Sequence, residues 1–454
     1  MKVRFDDALP ILAATVSKEL NEEALKSGVI LRDAMGRLSF FSSADLEEDK
    51  FLRLEKKLSA KLKSYAAPDR VLIQPSDFGA ARILESKNKL AVKIGRFSVN
   101  ILDRRIVGAD WLRGPVPHSP PPPRFVFSSI KGGVGRSTAL AVVAACLAND
   151  GLRVLAIDLD IEAPGLGAIL LNDKTIPEYG LIDALVENGI SGLDSEFYAD
   201  LIGPSDITEG RGTLHVIPVL GRRSLNNPAE VLAKISRSYM EDIGAKGEIS
   251  TFSDQISNLV EEYSDPKRYD VILIDARAGL HETTASAILG LGAEVFLFGL
   301  DEPQTFQGFN ILISHLARLS GEQCFPEWLT RLTMVQGKAP SQISERLLFS
   351  DRCQKILFDL GLLGIGTSAV DLTAFSGGGF DTFEWNDDVP DEAVLPVDNS
   401  QFFEPLAILD DPKFKGFNPQ EHPDLLESGA YTAAYNQLLN KVRSAIPGLM
   451  ESKI

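Results

Sequence analysis

The chain has few cysteines and histidines for its length, and this scarcity argues against several kinds of site. Its 454 residues include three cysteines, Cys146, Cys324 and Cys353, which are far apart and form no CxxC pair. The five histidines are scattered as well. This pattern disfavours a zinc or iron–sulfur cluster and is typical of a protein kept in a reducing cytoplasm.

Long apolar runs are also missing. No stretch is long enough to cross a bilayer, which disfavours a transmembrane helix. The C-terminal segment 431–450 predicts an amphipathic helix, but it contains Pro447 and few cations, so we expect it to pack on the rest of the protein and not on a membrane. The chain begins MKVRFDDALPILAATV, so acidic residues precede the first apolar stretch and a secretory signal is not expected. A hydrophobic content of 44% and a charged content of 24% are those of an ordinary globular protein. We therefore expect a cytoplasmic protein.

Positive charge is the third deficit. The chain has 63 acidic against 46 basic residues and a formal net charge of −17. Nonspecific DNA binding needs clustered lysine and arginine. The basic groupings here are short, such as Lys56 with Lys57, Arg104 with Arg105 and Arg222 with Arg223. We expect DNA not to be a partner.

Glycine, by contrast, is concentrated in a segment typical of nucleotide-binding proteins. Residues 125–160 read FVFSSIKGGVGRSTALAVVAACLANDGLRVLAIDLD, which predicts a strand, a glycine-rich loop at 131–138, a helix and a second strand. Glycines allow backbone N–H groups to point at phosphate oxygens, and the helix adds the positive end of its dipole. The hydroxyl of Ser137 suits Mg²⁺, while Thr138 can reach a phosphate oxygen. The segment predicts a nucleotide site.

The loop departs from the common phosphate-loop pattern at two positions. Lys131 opens it, and Arg136 stands where a lysine is usual. Arginine keeps the charge but presents it as a planar fork of donors. The opening lysine makes the loop resemble the deviant Walker A motif, KGGxGK[ST][ST], of the ParA/MinD/nitrogenase-iron-protein group, in a KGGVGR variant.

Later segments strengthen this resemblance, which covers about 125–446. Asp158-Leu159-Asp160 is similar to the DxD that ends the second strand of the family. Residues 269–275, YDVILID, form an apolar strand capped by an aspartate, as in a Walker B motif, and 275–279 match DxxxG. The resemblance implies a doubly wound, mainly parallel α/β sheet with the nucleotide at the carboxyl ends of the strands.

The resemblance also implies roles for single residues. Lys131 is expected to contact the phosphates of a partner subunit, and Arg136 the β- and γ-phosphates of its own nucleotide. Ser137 and Asp275 are expected to hold Mg²⁺. Asp160 is expected to position the attacking water, with Asp158 and Glu162 as alternatives. The residues expected to contact the nucleotide are Lys131, Gly132, Gly133, Val134, Gly135, Arg136, Ser137, Thr138 and Gly279. ATP rather than GTP rests on the resemblance alone.

Composition divides the chain at a proline-rich stretch. Six of the ten residues in 114–123, GPVPHSPPPP, are proline, which predicts a semi-rigid linker. Residues 1–113 predict a small α+β module that binds a partner or acts as a sensor, and 124–454 the nucleotide-binding domain. A glycine-rich, then acidic, stretch at 365–392 predicts a surface loop or lid.

Together these patterns predict a Mg-ATP-dependent switch with slow hydrolysis. We expect it to dimerise around nucleotide and to signal to a protein that docks on 1–113 or 365–392. A nucleotide-bound scaffold that does not hydrolyse ATP is the alternative. A bacterial tyrosine kinase is disfavoured, because the last thirty residues contain only Tyr431 and Tyr435.

Overall fold

Two β-sheets organise the chain, and each is built from a separate stretch of sequence. The computed structural model describes residues 2–105, 107–207, 211–243, 249–320, 326–363, 403–447 and 449. Within these residues, a mixed sheet of five strands precedes a mainly parallel sheet of eight strands. The loop predicted at 365–392 lies outside the described residues.

The N-terminal sheet has the strand order β3-β2-β1-β5-β4. Its strands are β1 (Val29–Arg32), β2 (Leu38–Phe41), β3 (Leu72–Ile73), β4 (Leu90–Ile94) and β5 (Phe97–Asp103). Its helices are α1 (Phe5–Glu19), α2 (Glu22–Ser27), α3 (Glu48–Leu62) and α4 (Ala80–Leu84). Strands β1 and β2 form an antiparallel hairpin. The carboxylate of Asp33 stabilises its turn by accepting the N–H groups of Met35 and Arg37 at 2.9 and 2.8 Å.

Helix α3 begins later than its apolar pattern indicates. The pattern predicts a helix over 44–65, but the residues before α3 bond to a neighbouring loop instead. The N–H of Leu46 donates to Oε1 of Gln74 at 2.7 Å, and Asp45 accepts the hydroxyl of Ser76 at 2.7 Å. The apolar face itself is buried as expected, through Phe51, Leu54, Leu58 and Leu62.

The second sheet has the order β15-β14-β13-β6-β12-β7-β9-β8. Its strands are β6 (Arg124–Ser129), β7 (Arg153–Asp158), β8 (Gly203–Pro204), β9 (Thr213–Ile217), β12 (Val271–Ala278), β13 (Glu294–Gly299), β14 (Leu332–Ala339) and β15 (Leu406–Leu409). Neighbouring strands are parallel except β8 and β9. A separate ribbon pairs β10 (Asp242–Ile243) with β11 (Ile249–Ser250).

Helices cover both faces of this sheet. They are α5 (Arg136–Asn149), α6 (Leu166–Leu170), α7 (Leu181–Asn188), α8 (Ser195–Ala199), α9 (Arg222–Asn226), α10 (Val231–Ser238), α11 (Phe252–Glu262), α12 (Glu282–Gly290), α13 (Pro303–Leu319), α14 (Glu327–Thr330), α15 (Ile343–Asp359) and α16 (Ser428–Ser444). Helices α5, α6 and α16 share one apolar cluster with the sheet, and α7, α11, α12, α13 and α15 share another. This arrangement confirms the predicted doubly wound fold.

Helix α5 is apolar on all sides, because it lies between the sheet and α16. Helix α16 buries the face that carries Tyr431, Tyr435 and Leu438. The predicted C-terminal helix therefore packs on the sheet. Among the described helices, none is both long and apolar enough to cross a membrane.

The proline-rich stretch at 114–123 lies along the helices of the second sheet. The N–H of Val116 donates to the carbonyl of Leu289 at 2.8 Å. Just before the stretch, the buried carboxylate of Asp110 accepts the N–H of Ser253 at 3.0 Å. Contacts with the second sheet therefore begin before the prolines, and the division of the chain at this stretch stays a prediction.

Candidate functional site

The glycine-rich loop connects β6, at the centre of the second sheet, to α5. Two of its glycines, Gly133 and Gly135, have φ angles of 77° and 89°, a left-handed conformation that other residues rarely adopt. A Cβ atom added at either position would meet nothing within 4 Å, so the space beside the loop is open. Gly132 and Gly133 are exposed, Val134 is buried, and Thr138 is half-buried. The loop thus forms an accessible cradle at the helix N-terminus.

Arg136, the first residue of α5, turns inward. Its side chain is 9% exposed and lies between two carboxylates. The guanidinium donates from Nε to Oδ1 of Asp275 at 2.6 Å and from Nη2 to Oδ2 of Asp160 at 2.8 Å. A longer contact of 3.4 Å joins Nη1 to Oγ of Ser129. We call Arg136, Asp160 and Asp275 the loop cluster.

Burial and charge act in opposite directions within the loop cluster. Burial works to lower the pKa of Arg136, but the charges of Asp275 and Asp160 outweigh it, and the pKa is raised. Burial raises the pKa of Asp275, against the opposing effects of Arg136 and Ser137. The 2.6 Å contact between Arg136 and Asp275 joins opposite charges as an ion pair.

Ser137 completes this arrangement. Its hydroxyl donates to Oδ2 of Asp275 at 2.6 Å, so both oxygens of that carboxylate have a donor. Asp275 lies near the end of β12, opposite Asp158 of β7. The fold therefore brings Ser137 and Asp275, the two residues predicted to hold Mg²⁺, into direct contact.

The two aspartates of the DxD pattern have different hydrogen-bond partners. Asp160 faces Arg136, whereas Asp158 is completely buried and accepts the N–H groups of Asp160, Gly165 and Leu166 at 3.0 to 3.2 Å. Burial and the charge of Asp275 raise the pKa of Asp158 to about 7. Asp158 shapes the backbone that follows β7 and makes no contact with the loop cluster's guanidinium.

Glu162, the other alternative to Asp160, forms an ion pair with Arg277. Arg277 lies in the DxxxG segment, so this pair joins the segment that follows β7 to the end of β12. Gly279 of the same segment has a φ of 91° and donates its N–H to the carbonyl of Ser129 at 2.8 Å. The DxxxG segment therefore lies directly beside the phosphate loop.

Lys131 points away from the loop cluster. Its Nζ donates to Oε2 of Glu302 at 2.5 Å, just before α13. Glu302 was not among the residues predicted from the sequence, although Asp301-Glu302-Pro303 carries a helix-start pattern with proline at the first helical position. Both side chains of the pair are partly exposed, at 33% and 42%. The contact is therefore easily broken.

A second residue missed by sequence reasoning is Gly337, in β14. A Cβ atom there would lie 2.2 Å from the carbonyl oxygen of Val134. Only glycine allows β14 to approach the phosphate loop so closely. The available signal was a glycine inside a strand pattern, which often marks close approach of another backbone.

The geometry of this site agrees with the comparisons with known proteins. The family described as the CobQ/CobB/MinD/ParA nucleotide binding domain matches residues 125–321. This stretch begins in β6 and includes the phosphate loop and β12. Residues 125–321 form a ParA/MinD-type nucleotide-binding domain. The resemblance predicted from the loop motif is confirmed.

Relatives of the ParA/MinD-type domain differ in how much of this chain they match. The septum site-determining protein MinD of Bacillus subtilis is 26% identical over 166 residues, 37% of this chain and 49% of that protein. The antiactivator FleN of Pseudomonas aeruginosa is 25% identical over 220 residues, 48% of this chain and 63% of that protein. The chain thus spans less than two thirds of the length of either curated relative.

Among solved structures, the septum site-determining protein MinD complexed with Mg-ADP, from Pyrococcus horikoshii OT3, is 18% identical with a TM-score of 0.40. The match covers 73% of this chain and 99% of that one.

Proposed function

We propose that this chain is a Mg-ATP-binding switch that hydrolyses ATP slowly and signals its nucleotide state to a partner protein. The contacts of the loop cluster with Ser137, beside an open glycine cradle, carry this proposal. Membership of the ParA/MinD type supports ATPase chemistry at the level of the family.

The phosphate loop fits a nucleotide for two reasons. The left-handed glycines Gly133 and Gly135 leave the space beside the loop free of side chains. The N-terminus of α5 adds unpaired N–H groups and the positive end of a helix dipole. ATP phosphates would therefore bind along residues 131–138, with Gly279 on the adjoining segment.

The residues around Asp275 fit a magnesium ion. The hydroxyl of Ser137 and the carboxylate of Asp275 are oxygen ligands, which Mg²⁺ prefers, and they are already in contact. These two residues would hold the metal, which neutralises charge on the transferred phosphoryl group when it is bound.

Arg136 explains why we propose slow turnover. Its guanidinium is held by Asp160 and Asp275, so contact with a phosphate requires it to leave at least one carboxylate. Release from Arg136 would free Asp160 to orient a water molecule. A guanidinium fork also tends to hold two oxygens in one geometry, whereas an ammonium follows a moving charge more easily.

Dimerisation around nucleotide is the proposed second step of the switch. Lys131 would leave Glu302 to contact the phosphates bound to a second copy of the chain. Because the ion pair of Lys131 and Glu302 is partly exposed, breaking it costs little free energy. The relatives named septum site-determining protein and antiactivator support a regulatory role. The partner protein is proposed to dock on 1–113 or 365–392.

Equilibrium binding of radiolabelled ATP and GTP tests the first step. We expect the wild type to bind ATP and to dimerise with it, as measured by light scattering. Lys131→Ala should still bind ATP but fail to dimerise, whereas Lys50→Ala, an exposed lysine in α3, should behave as the wild type does. Binding of neither nucleotide would end the proposal.

Hydrolysis rates test the second step. We expect Arg136→Lys to raise the basal rate and Asp160→Ala to lower it, each by about tenfold. If neither substitution changes the rate while ATP still binds, the chain is a nucleotide-bound scaffold. The double ion pair of Arg136 is the observation that favours this second candidate.

The described residues do not support tyrosine kinase activity. Tyr431 and Tyr435, the tyrosines of the C-terminal region, are 3% and 4% exposed within α16. Neither is available as a phosphorylation substrate in this structure.

A further inference from the structure

A wide cleft lies between the N-terminal sheet and the end of α13, far along the chain from the phosphate loop. Its volume is about 1110 Å³, and it is lined by α1, the β4 edge of the N-terminal sheet, and Arg318 near the end of α13. This volume is slightly above the usual range of about 300–1,000 Å³ for small-molecule sites. The phosphate loop does not contribute to it.

The cleft is cationic although the chain as a whole is strongly acidic. Its charged lining residues are Lys26, Arg32, Lys93 and Arg318, against the one carboxylate of Asp6. The formal charge of the whole chain is −17. A cleft lined mainly by one sign of charge concentrates ligands of the opposite charge, which here are anions.

The arginines have too few acidic partners. Asp103 is shared by Arg32, at 3.8 Å, and Arg105, at 3.1 Å. Arg318 forms no ion pair with any described residue. We call Arg32, Arg105, Arg318 and Asp103 the cleft cluster.

The surroundings of Arg32 show the same deficit of negative charge. Its side chain is 11% exposed. Burial lowers the pKa of Arg32, and the charges of Arg318 and Arg105 lower it further, while the charges of Asp103 and Asp6 oppose them. A buried guanidinium beside like charges is costly, and a bound anion would remove that cost.

The cleft also offers apolar surface next to these charges. The Arg32 guanidinium lies over the ring of Phe5, 4.6 Å from its centroid, which fixes the plane of its donors. Phe5 is 48% exposed, and Leu9, Val92 and Ile94 also line the cleft. An apolar wall beside forked donors suits an organic molecule with an anionic end.

We propose that this cleft binds a small organic phosphate, with Arg32 and Arg318 as the phosphate ligands and the apolar wall around Phe5 against its organic part. A phosphate is favoured over a monocarboxylate because its two charges match the excess of three guanidinia over one carboxylate in the cleft cluster, and arginine contacts phosphate oxygens bidentately. Two elements that are distant in sequence, β1 and α13, supply these ligands.

Titration calorimetry of the full chain with 2-naphthyl phosphate tests the proposal. We expect saturable binding by the wild type. The double variant Arg32→Gln/Arg318→Gln should bind at least about tenfold more weakly. Arg53→Gln/Lys56→Gln, which removes two exposed charges from α3, should bind as the wild type does.

Further arms separate the ligand classes and check folding. Arg32→Lys/Arg318→Lys should recover part of the affinity, and an unchanged circular dichroism melt should show that the Gln variant is folded. Neutral 2-naphthol should bind at least about tenfold more weakly than the phosphate. The proposal is overturned by an absence of binding, by an unchanged affinity in Arg32→Gln/Arg318→Gln, by equal binding of 2-naphthol, or by tighter binding of a polyglutamate peptide.

Discussion

The loop cluster and the cleft cluster are both built around arginine, but carboxylates are in excess in the first and guanidinia are in excess in the second. In the loop cluster, two carboxylates hold one guanidinium, which is satisfied before any ligand arrives. In the cleft cluster, the guanidinia outnumber the carboxylate. A ligand of the loop must therefore displace protein contacts, whereas a ligand of the cleft adds contacts that the protein lacks. The arrangement in the loop cluster suits a conformational switch, and the arrangement in the cleft cluster suits an anion site that is ready to bind without rearrangement.

The largest expected effect comes from removing the guanidinium of the loop cluster. Arg136→Gln leaves two buried carboxylates next to each other without a cation, so the free energy of unfolding should fall by about 3 kcal/mol or more. Urea unfolding followed by circular dichroism measures this. Arg136→Lys should lose less, because it keeps the charge. A loss below about 1 kcal/mol for the Gln variant would mean that the pair is not buried as described.

Asp158 provides a third case beside the two clusters, because backbone N–H groups and not a guanidinium surround its carboxylate. Its folded-state pKa is raised to about 7 from an ordinary value of 3.8. Between these values the folded protein holds a proton that the unfolded chain has lost, so stability falls as pH rises through this window and levels off above it.

The matching measurement is the difference in unfolding free energy between the wild type and Asp158→Asn across pH. The advantage of the wild type should shrink by up to about 1.4 kcal/mol per unit as pH rises from about 5 to about 6.5, and should become constant above about 8. A difference that does not depend on pH would show that Asp158 is ionised throughout.

The cleft cluster should respond in the opposite direction to loss of an arginine. Arg318→Gln removes a charge that repels its neighbours, so we expect unfolding stability without ligand to stay the same or to rise by about 0.5 kcal/mol or less. The same urea titration measures it beside Arg136→Gln. A loss above about 1 kcal/mol would show that Arg318 is already satisfied and that the contrast between the clusters is wrong.

The smallest expected effect concerns the ion pair of Lys131 and Glu302. Because both side chains are partly exposed, Glu302→Gln should change the free energy of unfolding by less than about 0.5 kcal/mol. The free energies of unfolding obtained from thermal melts of this variant at low and high salt should agree within that amount. A larger change would mean that Lys131 is held too firmly to leave for a second subunit.

Much of the nucleotide site could be predicted from the sequence because its residues lie in short motifs. The loop at 131–138, Asp160 and Asp275 each end or follow an apolar strand, and parallel strands bring such ends to one edge of the sheet. The motif did not reveal that Arg136 turns onto two carboxylates, since that choice depends on three strands at once. The partner of Lys131 also escaped prediction, because Glu302 lies 171 residues further along the chain.

The cleft could not be predicted at all from local sequence. Among the basic groupings visible in the sequence, Arg104 with Arg105 contributes Arg105 to the cleft cluster, whereas Arg222 with Arg223 contributes nothing to it. Arg32 and Arg318 line the same cleft because α13 packs against β4, and no short-range pattern encodes that packing. Likewise, the apolar pattern of α3 identified its buried face but not its first residue, which competing hydrogen bonds from a distant loop determine.

Helix α13 reaches from one proposed ligand site to the other. A helix of 17 residues is about 25 Å long and behaves as a rod over that distance. Glu302, which holds Lys131, precedes its first residue, and Arg318 stands one residue before its end. The two proposed sites therefore lie at opposite ends of one helix. By thermodynamic reciprocity, an anion that shifts Arg318 and changes the affinity for ATP must have its own affinity changed by ATP in the same ratio.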